Sequence, residues 1–146
     1  FMKVLELSKA PVVATHSSLR HFTPGWERNV SDEMLIALAE NGGVIQLCFG
    51  SDFVANRKDN PDIEVSVKNV VDHIDRVRDL VGIDHVGFGS DFDGEVPLPE
   101  DINDVSKFPN LIEELLIRGY TESEIDKILN ENILRVWKEV RALADA

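Results

Sequence analysis

Short runs of apolar, often β-branched residues alternate along this chain with segments of helical periodicity, and this alternation restricts the fold more than any other feature. The runs cover residues 11–16, 44–49 and 85–90. Between the last two, apolar residues recur at the three- and four-residue spacing of an amphipathic helix. They are Val67, Val70, Val71, Ile74, Val77, Leu80 and Val81, and Gly82 follows. Strands joined by helical connections of this length pair in parallel, so the sequence predicts an α/β fold.

Capping residues mark further predicted helices. Ser31 precedes a helix that Asn41-Gly42-Gly43 ends in the manner of a left-handed C-cap. The stretch Thr121-Glu122-Ser123-Glu124 is a capping box, which predicts a short helix through Leu129. We also predict a helix at residues 1–9, one that begins at Pro109 and closes at Gly119, and a last helix with Ile133, Leu134, Val136, Trp137 and Val140.

Three strands are too few to close a barrel or to cover both faces of a sheet well. Two arrangements remain open, namely a small open three-layer domain or a segment of something larger. The chain begins with Phe1-Met2-Lys3 and enters an apolar pattern at once. Natural chains seldom start inside an element, so we expect further residues upstream.

Composition and charge exclude several classes of partner. The chain of 146 residues has a formal net charge of −12, which repels nucleic acid and anionic membranes. No apolar stretch approaches the length of a membrane span, so we expect no membrane contact from this segment.

The one cysteine, Cys48, excludes an internal disulfide. It lies in an apolar run, which favours a buried hydrophobic side chain over a nucleophile. A single cysteine also favours a reducing, cytoplasmic location.

Candidate functional residues follow the strands, because parallel α/β folds gather their functional side chains at the carboxyl ends of strands. The first strand ends in His16, where a neutral imidazole can ligate zinc; a hydrogen-bonded histidine at a sheet edge is the structural alternative. The third strand leads into Asp91, a carboxylate that needs a cation, a metal or a proton as its partner. Gly94 is too near Asp91 for a calcium loop, and Asp93 is interpreted as a turn residue.

The loop after His16 adds Arg28, His21 and Trp26 as candidates. Arg28 can hold a substrate carboxylate in bidentate fashion, or it can form an ordinary surface ion pair with Glu27 or Asp32. His21 is a weak candidate for a second ligand to the same metal. Two other histidines are interpreted as structural: His73 on the polar edge of a helix and His85 at the start of its strand.

Taken together, the motifs resemble the membrane (renal-type) dipeptidase family of zinc peptidases. The matching stretches are APVVATHSSLR, RNVSDEML, ENGGVIQLCF, VVDHIDRVRDLVGIDHVGFGSDFDG and DVSKFPNLIEELLIRGYTESEIDKILNENILRVW. The resemblance implies a TIM-type (β/α)8 barrel of which residues 1–146 form the C-terminal third, about strands six to eight. It also implies two zinc ions, with His16 ligating one of them. Arg28 is then the residue that binds the substrate's C-terminal carboxylate, and Asp91 the aspartate near the scissile bond.

The sequence departs from the family pattern in two respects. The family's early His-x-Asp pair, its bridging glutamate and another zinc-ligand histidine have no counterpart in this sequence, and the His16-to-Arg28 loop is about one residue longer than expected. The sequence therefore predicts hydrolysis of small dipeptides by a complete domain, with a missing upstream barrel segment as partner and a homodimer left open. The fragment alone should be inactive. Two alternatives remain, a barrel amidohydrolase acting on cyclic amides and a non-catalytic fragment completed by another chain.

Overall fold

Within residues 1–144 the sheet has three strands, all parallel, in the order β1-β2-β3. The computed structural model describes residues 1–144. The strands are β1 (Val13–Ser17), β2 (Val44–Cys48) and β3 (Val86–Ser90). The helices are α1 (Met2–Leu7), α2 (Asp32–Glu40), α3 (Ser51–Val54), α4 (Val67–Val81), α5 (Phe108–Ile117), α6 (Glu122–Asp126) and α7 (Asn132–Ala144). The predicted α/β class with parallel pairing is confirmed.

Helix boundaries follow the capping residues closely. The Ser31 hydroxyl accepts a hydrogen bond from the Met34 amide at the start of α2. At α6, Thr121 and Glu124 exchange the two hydrogen bonds of a capping box. The predicted extension of α6 to Leu129 is wrong, because a π-helical turn at Lys127–Glu131 replaces its last part. That turn leads directly into α7, where the buried Asn132 amide donates to Ile83 O and Val86 O.

The main core lies between one face of the sheet and the helices. Ile45 and Leu47 of β2 belong to it, together with apolar side chains of α2, α4 and α5. The members from these three helices are Leu35, Leu38, Val67, Val70, Val71, Ile74, Val77, Leu111 and Leu115. Every residue of β2 is buried, because β2 is the central strand. By contrast, β1 is an edge strand within residues 1–144, and its Thr15 and His16 are exposed. A short β-branched run such as residues 11–16 predicts a buried strand, and within residues 1–144 that prediction is wrong for β1.

The opposite face of the sheet carries Gly87 and Gly89 of β3 and is strongly curved. A Cβ added at Gly89 of β3 would lie 2.6 Å from the backbone oxygen of Thr15 in β1. Neighbouring strands are about 4.8 Å apart, so a flat sheet would keep β1 and β3 almost twice that far from each other. The two strands instead approach one another across β2. Register shifts in both strand pairs, between Ala14 and Ser17 and between Leu47 and Cys48, accompany the curvature.

Candidate functional site

The residues predicted from sequence to form a site all lie beyond or at the carboxyl ends of strands. His16 is the fourth residue of β1, within the irregular stretch between Ala14 and Ser17. Bulges of this kind often re-aim a side chain beside a functional site. The His16 Nδ1 atom lies 2.7 Å from Thr15 Oγ1. When Nδ1 carries the proton and donates it to Thr15, the lone pair of Nε2 is free to bind a metal.

Arg28 lies in the loop between β1 and α2, and two contacts fix its guanidinium group. The group stacks over the ring of Phe53, with Cζ 4.2 Å from the ring centroid. Its Nη2 atom is 3.4 Å from Asp91 Oδ2. The surface pair expected as the alternative is not formed: Glu27 pairs with Arg20 and Asp32 pairs with Arg76. The structure thus brings Arg28 to Asp91, the other candidate for substrate contact.

Asp91 begins a tight turn directly after β3. Its backbone is left-handed, with φ of 68°, and that of Ser90 is as well, with φ of 50°. Gly94 donates its amide to Asp91 O at 3.3 Å, and a Cβ at Gly94 would come within 3.0 Å of Asp91 Oδ1. The exposed Asp93 lies inside this turn, in agreement with its interpretation as a turn residue. The turn therefore holds the Asp91 carboxylate at the strand end.

Cys48 is a further neighbour of Asp91 that the sequence did not reveal. Its Sγ atom is 3.6 Å from Asp91 Oδ2, within the range of a weak S–H hydrogen bond. Burial raises the pKa of the Cys48 thiol, and the Asp91 charge adds to that effect. The thiol therefore stays protonated and can donate to the carboxylate. Its buried position agrees with the prediction of a packed side chain.

The buried side chain of His73 joins the loop that contains Arg28 to the end of α3 by hydrogen bonds. The fully buried His73 accepts a hydrogen bond from the Leu19 amide at Nδ1 and donates from Nε2 to Val54 O. Burial lowers the pKa of His73 to about 4, so its ring is neutral. The prediction that His73 lies on a polar helix edge is wrong, although its role is structural. His85 Nδ1 bonds to Gly43 O, which agrees with a structural role for His85.

His16 and Arg28 share a cavity of about 500 Å³ beside the open edge of β1. Its wall includes all of β1, the side of α1 with Val4 and Leu5, and Met34 of α2. Asp91 is not part of this wall. The candidate residues are therefore grouped as two overlapping pairs, with Arg28 common to both: one pair with His16 in the cavity, the other with Asp91 by direct contact.

The donor set within residues 1–144 does not make a complete metal centre. No three histidine, cysteine, aspartate or glutamate side chains in this part of the chain are grouped closely enough to hold a metal ion. His16 with His21 as a second ligand therefore has no third partner here. His16 by itself offers one suitable donor, because its Nε2 atom has no hydrogen-bond partner among the described residues. A metal centre that used His16 would need further ligands.

Comparison with known proteins decides the family. A family model described as Membrane dipeptidase (Peptidase family M19) matches residues 1–146. The chain belongs to the membrane dipeptidase family. This confirms the resemblance that the sequence motifs indicated. "Dipeptidase ataJ" of Aspergillus terreus (strain NIH 2624 / FGSC A1156) is 46% identical over 140 residues, which make up 96% of this chain and 33% of that protein.

Solved structures of similar proteins agree with the fold. A metallo peptidase from Rhodobacter sphaeroides, liganded with a phosphinate mimic of the dipeptide L-Ala-D-Ala, superposes with a TM-score of 0.85 at 36% identity. The match covers 94% of this chain and 38% of that chain. An amidohydrolase from Pseudomonas aeruginosa gives a TM-score of 0.81 at 28% identity, over 94% of this chain and 48% of that one.

The extent of the matches limits what they show. The chain spans about a third of the length of its curated relative, so the relatives contain a large part that this sequence does not match. The family's name mentions a membrane, and within residues 1–144 no helix is long and apolar enough to cross one.

Proposed function

We propose that this chain is part of a zinc-dependent dipeptidase and corresponds to about strands six to eight of a (β/α)8 barrel. The observation that carries the proposal is the family match over residues 1–146. The approach of β1 to β3 at Gly89 supports the barrel, because closed parallel barrels need such curvature. The partial coverage of the relatives supports a segment rather than a whole barrel.

The proposed substrate is a small dipeptide with a free C-terminal carboxylate, and Arg28 is proposed to bind that carboxylate. The Arg28 side chain is 36% exposed, so it can meet a ligand while its guanidinium group stays stacked on Phe53. The planar guanidinium group can donate two parallel hydrogen bonds to a carboxylate, which the ammonium group of a lysine cannot do. The bound L-Ala-D-Ala mimic in the Rhodobacter sphaeroides relative supports a dipeptide of this size.

Asp91 is proposed to act at the reacting end of the substrate, by proton transfer or by holding the substrate amine. It lies at the carboxyl end of β3, where barrel enzymes carry catalytic residues. Its contact with Arg28 at 3.4 Å supports a role beside the proposed carboxylate site. The Cys48 thiol, 3.6 Å away, offers the carboxylate an additional donor.

His16 is proposed to ligate one of two zinc ions, and the remaining ligands are proposed to lie outside residues 1–144. Zinc supplies Lewis-acid chemistry to hydrolases of this type. The exposed imidazole at a strand end and its contact with Thr15 support the ligand role. The chain alone is therefore expected to bind zinc weakly and to hydrolyse dipeptides no faster than the background reaction.

The carboxylate role of Arg28 can be tested in the complete natural protein by exchanging Arg28 for Met. Loss of a desolvated charge pair with the substrate should lower kcat/KM for dipeptides about 100-fold, mostly through KM. The matched control is Arg57→Met, because Arg57 has a similar exposure, 32% against 36% of its side chain, and an aspartate partner. Equal losses in the two variants would contradict the proposal.

The ligand role of His16 can be tested by metal analysis, independently of activity. The variant His16→Ala should retain about one zinc ion per chain where the unaltered complete protein holds two, since the second site keeps its own ligands. His85→Ala is the control, because His85 lies directly before β3 and bonds to Gly43 O, and it should keep both ions. Unchanged zinc content in His16→Ala would exclude the ligand role.

A second candidate function is hydrolysis of cyclic amides, which the similarity to an amidohydrolase structure from Pseudomonas aeruginosa favours. The two functions differ in what Arg28 contacts, because a ring amide has no free carboxylate. Turnover of L-Ala-D-Ala and of a cyclic amide by the complete protein separates them. We expect hydrolysis of the dipeptide alone, and hydrolysis of the cyclic amide alone would favour the second candidate.

A further inference from the structure

The side chain of Asn29 is buried next to the proposed carboxylate-binding Arg28 and makes three hydrogen bonds. The residue is only 1% exposed. Its Oδ1 atom accepts from the Ser18 amide at 3.2 Å. Its Nδ2 group donates to Thr23 Oγ1 at 2.7 Å and to Phe53 O at 2.8 Å. Asn29 therefore uses one acceptor and both donor hydrogens within the protein interior.

These partners belong to the segments that place Arg28. Ser18 follows directly after β1, and Thr23 lies in the same loop as Arg28. Phe53 lies in α3, and its ring carries the Arg28 guanidinium group at 4.2 Å. The Asn29 amide thus ties the backbone next to Arg28 to the backbone of the residue on which the Arg28 side chain rests.

Neighbouring contacts strengthen the same connection. The Ser17 hydroxyl donates to Arg28 O at 2.9 Å, and the Arg20 guanidinium group donates to Asn29 O. His73 joins the same two segments a residue further on, through Leu19 and Val54. The backbone on both sides of the Arg28 side chain is therefore held by polar contacts, and those of Asn29 and His73 are buried.

We propose that Asn29 is a positioning residue for Arg28, fixing the guanidinium group over Phe53 so that it meets the substrate carboxylate without reorganisation. The inference rests on the proposed function of Arg28. An unrestrained arginine loses much rotamer freedom when it binds. The Asn29 cross-link removes part of that loss in advance, because it fixes the separation between the Arg28 backbone and the Phe53 ring.

The first test measures the Arg28 side chain directly. In the complete natural protein labelled with ¹⁵N-arginine, the Arg28 Nε–H signal should be shifted by the Phe53 ring current, and Arg28→Lys identifies it. In Asn29→Ala the signal should move toward the position of an unstacked arginine. The control Asn132→Ala should leave it unchanged. Asn132 is also buried and also donates two hydrogen bonds to backbone oxygens, but it does so near α7. An unmoved signal in Asn29→Ala would overturn the proposal.

The second test compares a dipeptide with its C-terminal amide. A positioning role predicts that Asn29→Ala raises KM about 10-fold for the free acid, while KM for the amide changes little. The double variant Arg28→Met/Asn29→Ala should be no worse on the free acid than Arg28→Met alone, since Asn29 acts through Arg28. When the unaltered protein prefers the free acid, equal losses of Asn29→Ala on acid and amide, or additive losses in the double variant, would show a merely structural role and overturn the inference.

The two tests separate the inference from the proposed function. If the Arg28 signal moves in Asn29→Ala but the unaltered protein treats acid and amide alike, the carboxylate role fails and the positioning of Arg28 stands. Should Asn29→Ala not fold, Thr23→Val removes one partner of the Asn29 amide at nearly constant volume. It should shift the Arg28 signal in the same direction by a smaller amount, and an unmoved signal there would again overturn the proposal.

Discussion

The neutral, buried side chain of His73 gives this protein a specific response to acid. His73 is completely buried, and its two ring nitrogens are both used, one as acceptor and one as donor. A second proton on the ring would meet the Leu19 amide, which is itself a donor. Burial is the main reason that the pKa of His73 falls from 6.5 to about 4.

The stability of the protein should therefore decrease as the pH falls from 6.5 to 4. In that window the unfolded chain binds a proton at His73 that the folded protein does not bind, so protonation favours unfolding. Above pH 6.5 both states are neutral at this residue and the effect vanishes. The pKa difference corresponds to about 3 kcal/mol of unfolding free energy. Urea unfolding followed by circular dichroism across this pH range measures it.

The variant His73→Gln isolates this contribution from that of the carboxylates. It should be less stable at neutral pH, because the imidazole contacts are lost, yet its stability should depend less on pH between 6.5 and 4. His85→Gln is the matched control and should keep the pH dependence of the unaltered protein. Parallel pH profiles for His73→Gln and the unaltered protein would show that His73 does not titrate as described.

Sequence alone indicated the candidate site residues but not the residues that support them. His16, Arg28 and Asp91 are recognisable because they follow predicted strands or belong to motifs. Asn29 and His73 also lie within the matching stretches, but no role follows from their positions: Asn29 reads as a loop residue, and His73 reads as the edge of an otherwise regular helix. Their importance depends on hydrogen bonds to Phe53 and Val54, which are distant in sequence. Such contacts arise only from tertiary packing.

At the scale of elements, Arg118 links α4 to α5 through a compact set of ion pairs. Its Nη1 atom lies 2.7 Å from both Asp72 Oδ1 and Asp75 Oδ2, and its Nε donates to Glu114 at 2.8 Å. Burial lowers the pKa of Arg118, but the hydrogen bonds to the three carboxylates outweigh that effect and raise it. Without the guanidinium group, three carboxylates would face one another.

The variant Arg118→Met should lower the free energy of unfolding by about 2 kcal/mol, less than for a fully buried pair because the side chains are partly exposed. Lys3→Met is the control. Lys3 pairs with Glu6 on the surface, where 70% of its side chain is exposed, so its loss should have little effect. Urea unfolding measures both. A loss for Arg118→Met as small as that for Lys3→Met would mean that the α4–α5 link is not stabilising.

Elements with strong local signals could be predicted to the residue, and those shaped by packing could not. The apolar spacing from Val67 to Val81 and the glycine after it define α4 as observed. The π-helical turn at Lys127–Glu131 contains no proline or glycine, so no sequence signal predicts it. It arises where α6 must continue into α7 while the Asn132 side chain reaches the backbone below β3.

At the scale of the whole molecule, the exposed apolar surface of α7 is the feature that the described residues leave without an explanation. The predicted apolar residues of this helix are present, but only Val136 is buried and Ile133 is partly so, while Trp137 is 65% exposed. The other exposed members are Leu134, Val140 and Leu143. An apolar stripe at helical spacing normally packs against another element. The open edge of β1 and the exposed Val4 and Leu7 of α1 present the same problem on another side.

The proposed barrel accounts for both surfaces, since the remaining strands and helices of a closed domain would cover them. We therefore expect Trp137 to be protected in the complete natural protein and accessible in residues 1–146 prepared alone. Hydroxyl-radical labelling read by mass spectrometry measures this directly, residue by residue. Trp26 serves as the internal reference, because it already packs edge-on against Phe53 within this chain. The labelling of Trp137 relative to Trp26 should fall several-fold in the complete protein. An unchanged ratio would mean that α7 faces solvent in both forms, and the proposal that these residues are one segment of a larger barrel would lose its explanation for this surface.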